Sequence, residues 1–144
     1  MNILFPNFEP RLQKTDDQLF IWCLIRKKWV LFTKEEWVRQ NWLNYLLNQL
    51  QVPSSVIAVE RGIQVGELKK RIDILVFKES LPWLLIECKE QDIPLSEKTV
   101  QQILSYQSVL QTGYLIISNG NDSRGFEVKG VSVTEIATIP SYSR

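Results

Sequence analysis

Two apolar runs, each with charged residues set into it, constrain this chain more than any other feature. Arg71-Ile72-Asp73-Ile74-Leu75-Val76-Phe77-Lys78 and Trp83-Leu84-Leu85-Ile86-Glu87-Cys88-Lys89 are short, rich in Ile, Leu, Val and aromatics, and bounded by charge and turn residues. That composition predicts strands near the centre of a sheet. The linker Glu79-Ser80-Leu81-Pro82 is short enough to make them an antiparallel hairpin. If the hairpin is symmetric about Ser80, residues whose numbers sum to 160 oppose one another, so that Asp73 faces Glu87, Arg71 faces Lys89, and all four share one face. Opposed side chains have Cβ atoms roughly 4.5–5.5 Å apart, and like charges there destabilise. The remedies are a bound cation, a shared proton or a basic neighbour. A hard divalent ion such as Mg²⁺ is typically held by one or two carboxylates with waters and substrate phosphates. Lys89 lies two residues beyond Glu87, roughly 6.6 Å along the strand, which sets an ammonium beside a metal-bound water or a phosphate.

The rest of the composition narrows the chemistry. A chain of 144 residues with 44% hydrophobic residues supports one domain, 1–144, with a sizeable core. There is no histidine, which excludes Ser-His-Asp and Cys-His catalysis and His-ligated zinc. Any general base is a lysine, a carboxylate or a metal-bound hydroxide. Cys23 and Cys88 each sit in an apolar run and read as buried free thiols. No apolar run approaches the roughly 18 residues of a spanning helix, so the expectation is a soluble, cytoplasmic protein with no membrane contact. A net charge of +1 means that DNA binding would come from a local basic patch.

Taken in order, residues 1–18 carry Pro6 and Pro10 and predict an irregular arm, with Leu4, Phe5 and Phe8 packing on the sheet. Residues 19–25 and 29–32 predict a hairpin around a solvated basic turn, Arg26-Lys27-Lys28. Thr33 and Glu36 form a capping box for a helix running to about Gln51, with Leu43, Leu46, Leu47 and Leu50 as its buried stripe. Glu36 and Gln40 lie one turn apart on the Leu43/Leu47 side. Residues 55–63 predict the strand before the central hairpin, with Gly66-Glu67-Leu68-Lys69-Lys70 as a turn. Lys69, Lys70 and Arg71 make the densest basic cluster, beside Asp73, and are candidate contacts to a phosphate backbone. Glu60 is either a further metal ligand or a partner for Arg71. Ser96 caps a second helix that runs to about Gln111 and ends at Gly113, with Gln102 and Tyr106 sharing one face. Tyr114–Ser118 predicts a buried strand, residues 126–128 and 131–139 edge strands, and Ser141 to Arg144 a frayed end.

The order helix, strand, hairpin, helix, strand, with Asp73 and Glu87-Cys88-Lys89 on the hairpin, resembles the αβββαβ core of the PD-(D/E)xK nuclease superfamily, an α/β (α+β) fold with a mixed central sheet flanked by helices. Ile72 stands where that motif has Pro. Gln102-x-x-x-Tyr106, thirteen residues after Lys89, resembles the Gln-x-x-x-Tyr motif of RecB-like nucleases. Together with Thr33–Gln40, Lys70–Ile74, Ile86–Lys89 and Ser118-Asn119-Gly120, the pattern is similar to the nuclease domain at the N-terminus of type I restriction enzyme R subunits. The resemblance implies Asp73 and Glu87 as metal ligands, Glu36 supporting the metal, and Lys89 positioning or activating the attacking water. It implies Gln102 and Tyr106 steadying the site or touching DNA, with Lys69, Lys70, Arg71, Arg39 and Gln40 as DNA contacts. The cofactor is then Mg²⁺ or Mn²⁺, and the partners are DNA and a separate motor or specificity subunit, a homo-oligomer being compatible. The chain carries no helicase motor. Two functions follow: metal-dependent phosphodiester hydrolysis in DNA, or a non-catalytic nucleic-acid-binding or assembly module that keeps the nuclease fold.

Overall fold

The computed structural model describes residues 1–143. A six-stranded mixed sheet carries the chain's two cores, one on each face. Its strands run β4 (Ile57–Val65), β5 (Leu68–Lys78), β6 (Leu81–Cys88), β7 (Tyr114–Ser118), β8 (Ser123–Lys129) and β9 (Ser132–Ile136), in that spatial order. All neighbours are antiparallel except β6 and β7, which are parallel. A parallel pair needs a crossover, and α2 (Glu97–Ser105) with the short α3 (Gln107–Leu110) supplies it. With α1 (Lys34–Asn44) ahead of β4, this is the expected αβββαβ order.

Strand alternation divides the apolar residues. Ile74, Val76, Leu84, Ile86 and Ile116 meet Val38, Trp42, Leu43 and Leu46 of the first helix. Leu75, Leu85, Leu115 and Ile117 meet Val100, Ile103 and Tyr106 from the other side. The sum-to-160 register holds at Ile74–Ile86, Leu75–Leu85 and Val76–Leu84, then shifts by one at Phe77–Pro82 and Lys78–Leu81. That shift leaves a two-residue turn, Glu79-Ser80, both residues at positive φ (52° and 65°), the conformation that matches hairpin twist.

Several expectations are corrected. Lys69 and Lys70 belong to β5, and only Val65-Gly66-Glu67-Leu68 turns. The arm contains β1 (Leu12–Thr15), which pairs with β2 (Gln18–Trp22); β2 pairs in turn with β3 (Trp29–Leu31) in a separate three-stranded sheet. Phe5 packs on Trp42 (5.0 Å) and Phe8 on Trp37 (5.8 Å), so the arm lies on α1, and Leu4 is exposed. The first helix is α-helical only to Asn44 and finishes as a π-helical turn, Tyr45–Gln49. The second helix breaks at Tyr106, and its end is an αL residue, Gln111, two positions before Gly113. Tyr142 is anchored, its ring 5.2 Å from Trp83 and its hydroxyl donating to the Phe77 carbonyl at 3.3 Å. Arg144, the end of the expected frayed tail, lies outside the described residues.

Candidate active site

The site forms where β5 and β6 part. Their pairing ends at Ile74–Ile86, after which β6 leans toward β7, Cys88 pairing with Ser118 and the Lys89 amide donating to the Ser118 carbonyl at 2.8 Å. The parting leaves backbone N–H groups without ladder partners, and buried ones must be satisfied. The two carboxylates do this reciprocally. The Asp73 amide donates to Glu87 Oε1 at 2.9 Å, and the Cys88 amide donates to Asp73 Oδ2 at 2.8 Å. Asp73 and Glu87 therefore meet in the gap, 6% and 8% exposed. The expected Arg71–Lys89 facing does not occur, because Arg71 pairs with Gly62 across β4 and its side chain points to solvent.

Burial, then the adjacent Asp73 charge, push the Glu87 carboxyl well above the usual carboxylate range. The Lys89 ammonium opposes this, lowering Glu87 by its charge, and makes no ion pair among the described residues. Lys89 is thus a half-buried cation beside Glu87 with its donors uncommitted. Behind Glu87 stands Tyr106, 3% exposed, whose phenol is raised first by burial and next by the Glu87 charge; Gln102 Nε2 donates to its hydroxyl at 3.4 Å. Gln102 and Tyr106 thus share one face, as their helical phase implied, and Tyr106 lies near enough to feel the Glu87 charge.

From the other side α1 delivers a basic neighbour. Arg39 Nη2 pairs with Asp73 Oδ1 and, at 2.5 Å, with Glu60 Oε1, while Nη1 donates to Glu36 Oε1 at 2.5 Å. Glu60 comes within reach because β4 kinks there, with φ at 58° between the Val59–Ile74 and Arg61–Ile72 pairs. Both Glu60 and Asp73 were legible as carboxylates, but the arginine joining them was assigned to DNA. Glu35 and Glu36, four and three positions before Arg39, were the available signal.

Three roles change accordingly. Glu36 reaches Asp73 only through Arg39, and both of its oxygens are already taken, by Arg26 (3.0 and 3.2 Å), Arg39 and Gln40 Nε2 (2.9 Å). It is therefore linked to the site through the Arg39 guanidinium. It also fails to close the capping box, since Thr33 accepts from the Glu36 amide but the Glu36 carboxylate is engaged elsewhere. Arg39 and Gln40 are 5% and 0% exposed, and Gln40 Oε1 accepts from the Leu24 amide at 3.1 Å, so neither offers a surface to DNA. Arg26, expected in a solvated turn, points inward, with Nε donating to Cys23 Sγ at 3.2 Å and Nη2 to Glu36.

Lys69, Lys70 and Arg71, with Gly62, Ile63 and Gln64, line an open groove of about 540 Å³ along the β4–β5 hairpin. This hairpin runs from the groove straight to Asp73. Ser118-Asn119-Gly120 closes the far side. Asn119 Nδ2 donates to the Ile93 carbonyl at 2.8 Å, tying the end of β7 to the loop that follows Lys89. Gly120 has φ at 88°, and a Cβ there would stand 3.3 Å from Val38 Cγ2 of α1.

Among the described residues no three His, Cys, Asp or Glu side chains converge as a ready metal cage. The donor chemistry nevertheless fits a hard divalent cation. Asp73 and Glu87 present oxygens only, Glu87 Oε2 accepts no hydrogen bond among the described residues, and a cation would relieve the repulsion that raises Glu87. No helix among the described residues is long and apolar enough to cross a membrane. Residues 34–140 match the family described as the type I restriction enzyme R protein N terminus. No curated protein matches the chain.

Proposed function

The chain belongs to the family of type I restriction enzyme R protein N termini, and from that premise we propose that it is a metal-dependent DNA nuclease domain. The observation that carries this reading is the pair Asp73 and Glu87, locked onto each other's strands, with the uncommitted Lys89 ammonium beside them. Asp73 and Glu87 are the residues that would hold Mg²⁺ or Mn²⁺. Such an ion, when bound, supplies a water of lowered pKa and a Lewis acid for a phosphate oxygen.

The chain's own groups do the rest. Lys69 and Arg71, exposed along the hairpin groove, receive the phosphate backbone and lead it to Asp73. Lys89 stabilises negative charge on the five-coordinate phosphorus, or takes the proton of the attacking water. Tyr106 and Gln102 fix the flank of Glu87, so that its carboxylate does not need to reorganise during the reaction.

A second reading, a binding or assembly module without catalysis, is favoured by one observation: a guanidinium already occupies Asp73 Oδ1. The two are separated by nuclease assays with Mg²⁺ or Mn²⁺ on linear, nicked and single-stranded DNA, using wild type and Lys89→Ala. Under the nuclease reading the wild type cuts, and Lys89→Ala keeps its metal-induced thermal stabilisation while losing roughly two to four orders of magnitude in rate. A folded wild type that binds DNA and never cuts it hands the case to the module. Equal cutting by both proteins removes Lys89 from the chemistry.

A further inference from the structure

Arg39 is buried among more negative charge than it can neutralise. Its guanidinium meets carboxylates from three elements: Glu35 (3.6 Å) and Glu36 (2.5 Å) on α1, Glu60 (2.5 Å) on β4, and Asp73 on β5. Three of those four crowd one nitrogen, Nη2, while Nε is buried and has no partner. An arginine fork is best satisfied by one or two carboxylates held bidentately. Here one positive charge is divided among four negative ones, with Arg26 drawing only on Glu36 and Arg71 reaching only the outer oxygen of Glu60 at 3.5 Å.

We infer that Arg39 is an internal counter-cation that holds Asp73 in the metal-free protein and competes with a divalent ion for it. The inference rests on the reading of Asp73 and Glu87 as the metal site, and concerns how that site is regulated. An ion can take Asp73 Oδ1 only when Nη2 withdraws or shares it. Glu36 keeps Nη1 meanwhile, and is itself held by Arg26 and Gln40, so Arg39 has a fixed place to retreat to. Because only the fraction of molecules with Asp73 released is competent, the apparent affinity is lowered by that fraction. Arg39 thereby offsets part of the site's negative charge without metal, and half-saturation is moved to a higher metal concentration.

The test is Mn²⁺ titration by calorimetry and by thermal melting, each run from an EDTA-treated state, on wild type, Arg39→Gln, Arg39→Lys and Asp73→Asn. Arg39→Gln is expected to bind Mn²⁺ about ten- to a hundredfold more tightly than wild type. It should melt lower without metal and gain more on adding it, because the ion then supplies the charge the arginine gave. Arg39→Lys, a compact charge that cannot span the same oxygens, should fall between. If Arg39→Gln folds only with Mn²⁺, that too supports the inference, and the affinity of Arg39→Lys gives the competition. Equal or weaker Mn²⁺ binding by both variants, with wild type still binding through Asp73, overturns it and makes Arg39 a strut, as does failure of both to fold even with Mn²⁺. Absence of Asp73-dependent binding in every protein instead defeats the metal-site reading, and the inference with it.

Discussion

Glu87→Gln is expected to stabilise the metal-free protein, by an amount that depends on pH. Gln retains an Oε1 that can accept the Asp73 amide bond now made by Glu87, and it removes a charge opposed to Asp73. Two carboxylates about 5 Å apart, at an effective dielectric of about 20, repel by about 3 kcal/mol. Glu87 escapes part of that by binding a proton, so the gain is about 1–3 kcal/mol above neutrality, or about 3 °C of melting temperature per kcal/mol for a chain of this size. The sign follows from linkage. The folded-state pKa of Glu87 is raised above the ordinary 4.5, so in wild type the stability linked to its proton is complete below 4.5 and is lost as pH rises through the folded value. The variant has no such loss. Its advantage should therefore be near zero at pH 4.5 and grow toward pH 8. Glu35, also raised by burial and then by the Asp73 charge, is common to both proteins and largely cancels. Urea unfolding in EDTA at pH 5 and pH 8 measures the difference. An advantage independent of pH, or a variant less stable than wild type at pH 8, refutes the claim that Glu87 is held against Asp73 without a sufficient cation.

Asp73→Asn should act in the opposite direction. Arg39 and the Cys88 amide donate to different oxygens of Asp73, and Asn turns one of those acceptors into an NH2 donor and removes the charge paired with Arg39, so metal-free stability falls by about 1–3 kcal/mol, and the metal-induced rise in melting temperature disappears in the same melts. Lys69→Ala and Arg71→Ala should each weaken DNA binding uniformly across sequences. Each should also flatten the dependence of log affinity on log salt by about 0.9, read from binding isotherms at several salt concentrations; unchanged slopes in both variants would remove the hairpin groove from the DNA path.

By itself the sequence determined the central hairpin and what it carries. Alternation and a short linker set the register from Ile74 to Val76, which carries Asp73 and Glu87 to the point where the two strands part. The sequence put Gln102 and Tyr106 on one helical face, which the family resemblance directs to that pair. It also showed that two opposed carboxylates require a remedy, and named a basic neighbour among three. Which neighbour was decided only by tertiary structure, because Arg39 lies 34 residues before Asp73 on a helix whose approach depends on packing Trp42, Leu43 and Leu46 against the sheet. The kink at Glu60 and the parting of β5 from β6 are likewise collective. A strand's pattern states which residues alternate, not where a neighbour leaves it for another partner. The β2–β3 hairpin was legible, but β1 was not, for a related reason: all four of its residues are exposed, so no alternation marks them, and only pairing with β2 makes them a strand. Local periodicity thus specifies what each element buries, while the neutralisation of a buried charge depends on whichever distant side chain the fold brings to it.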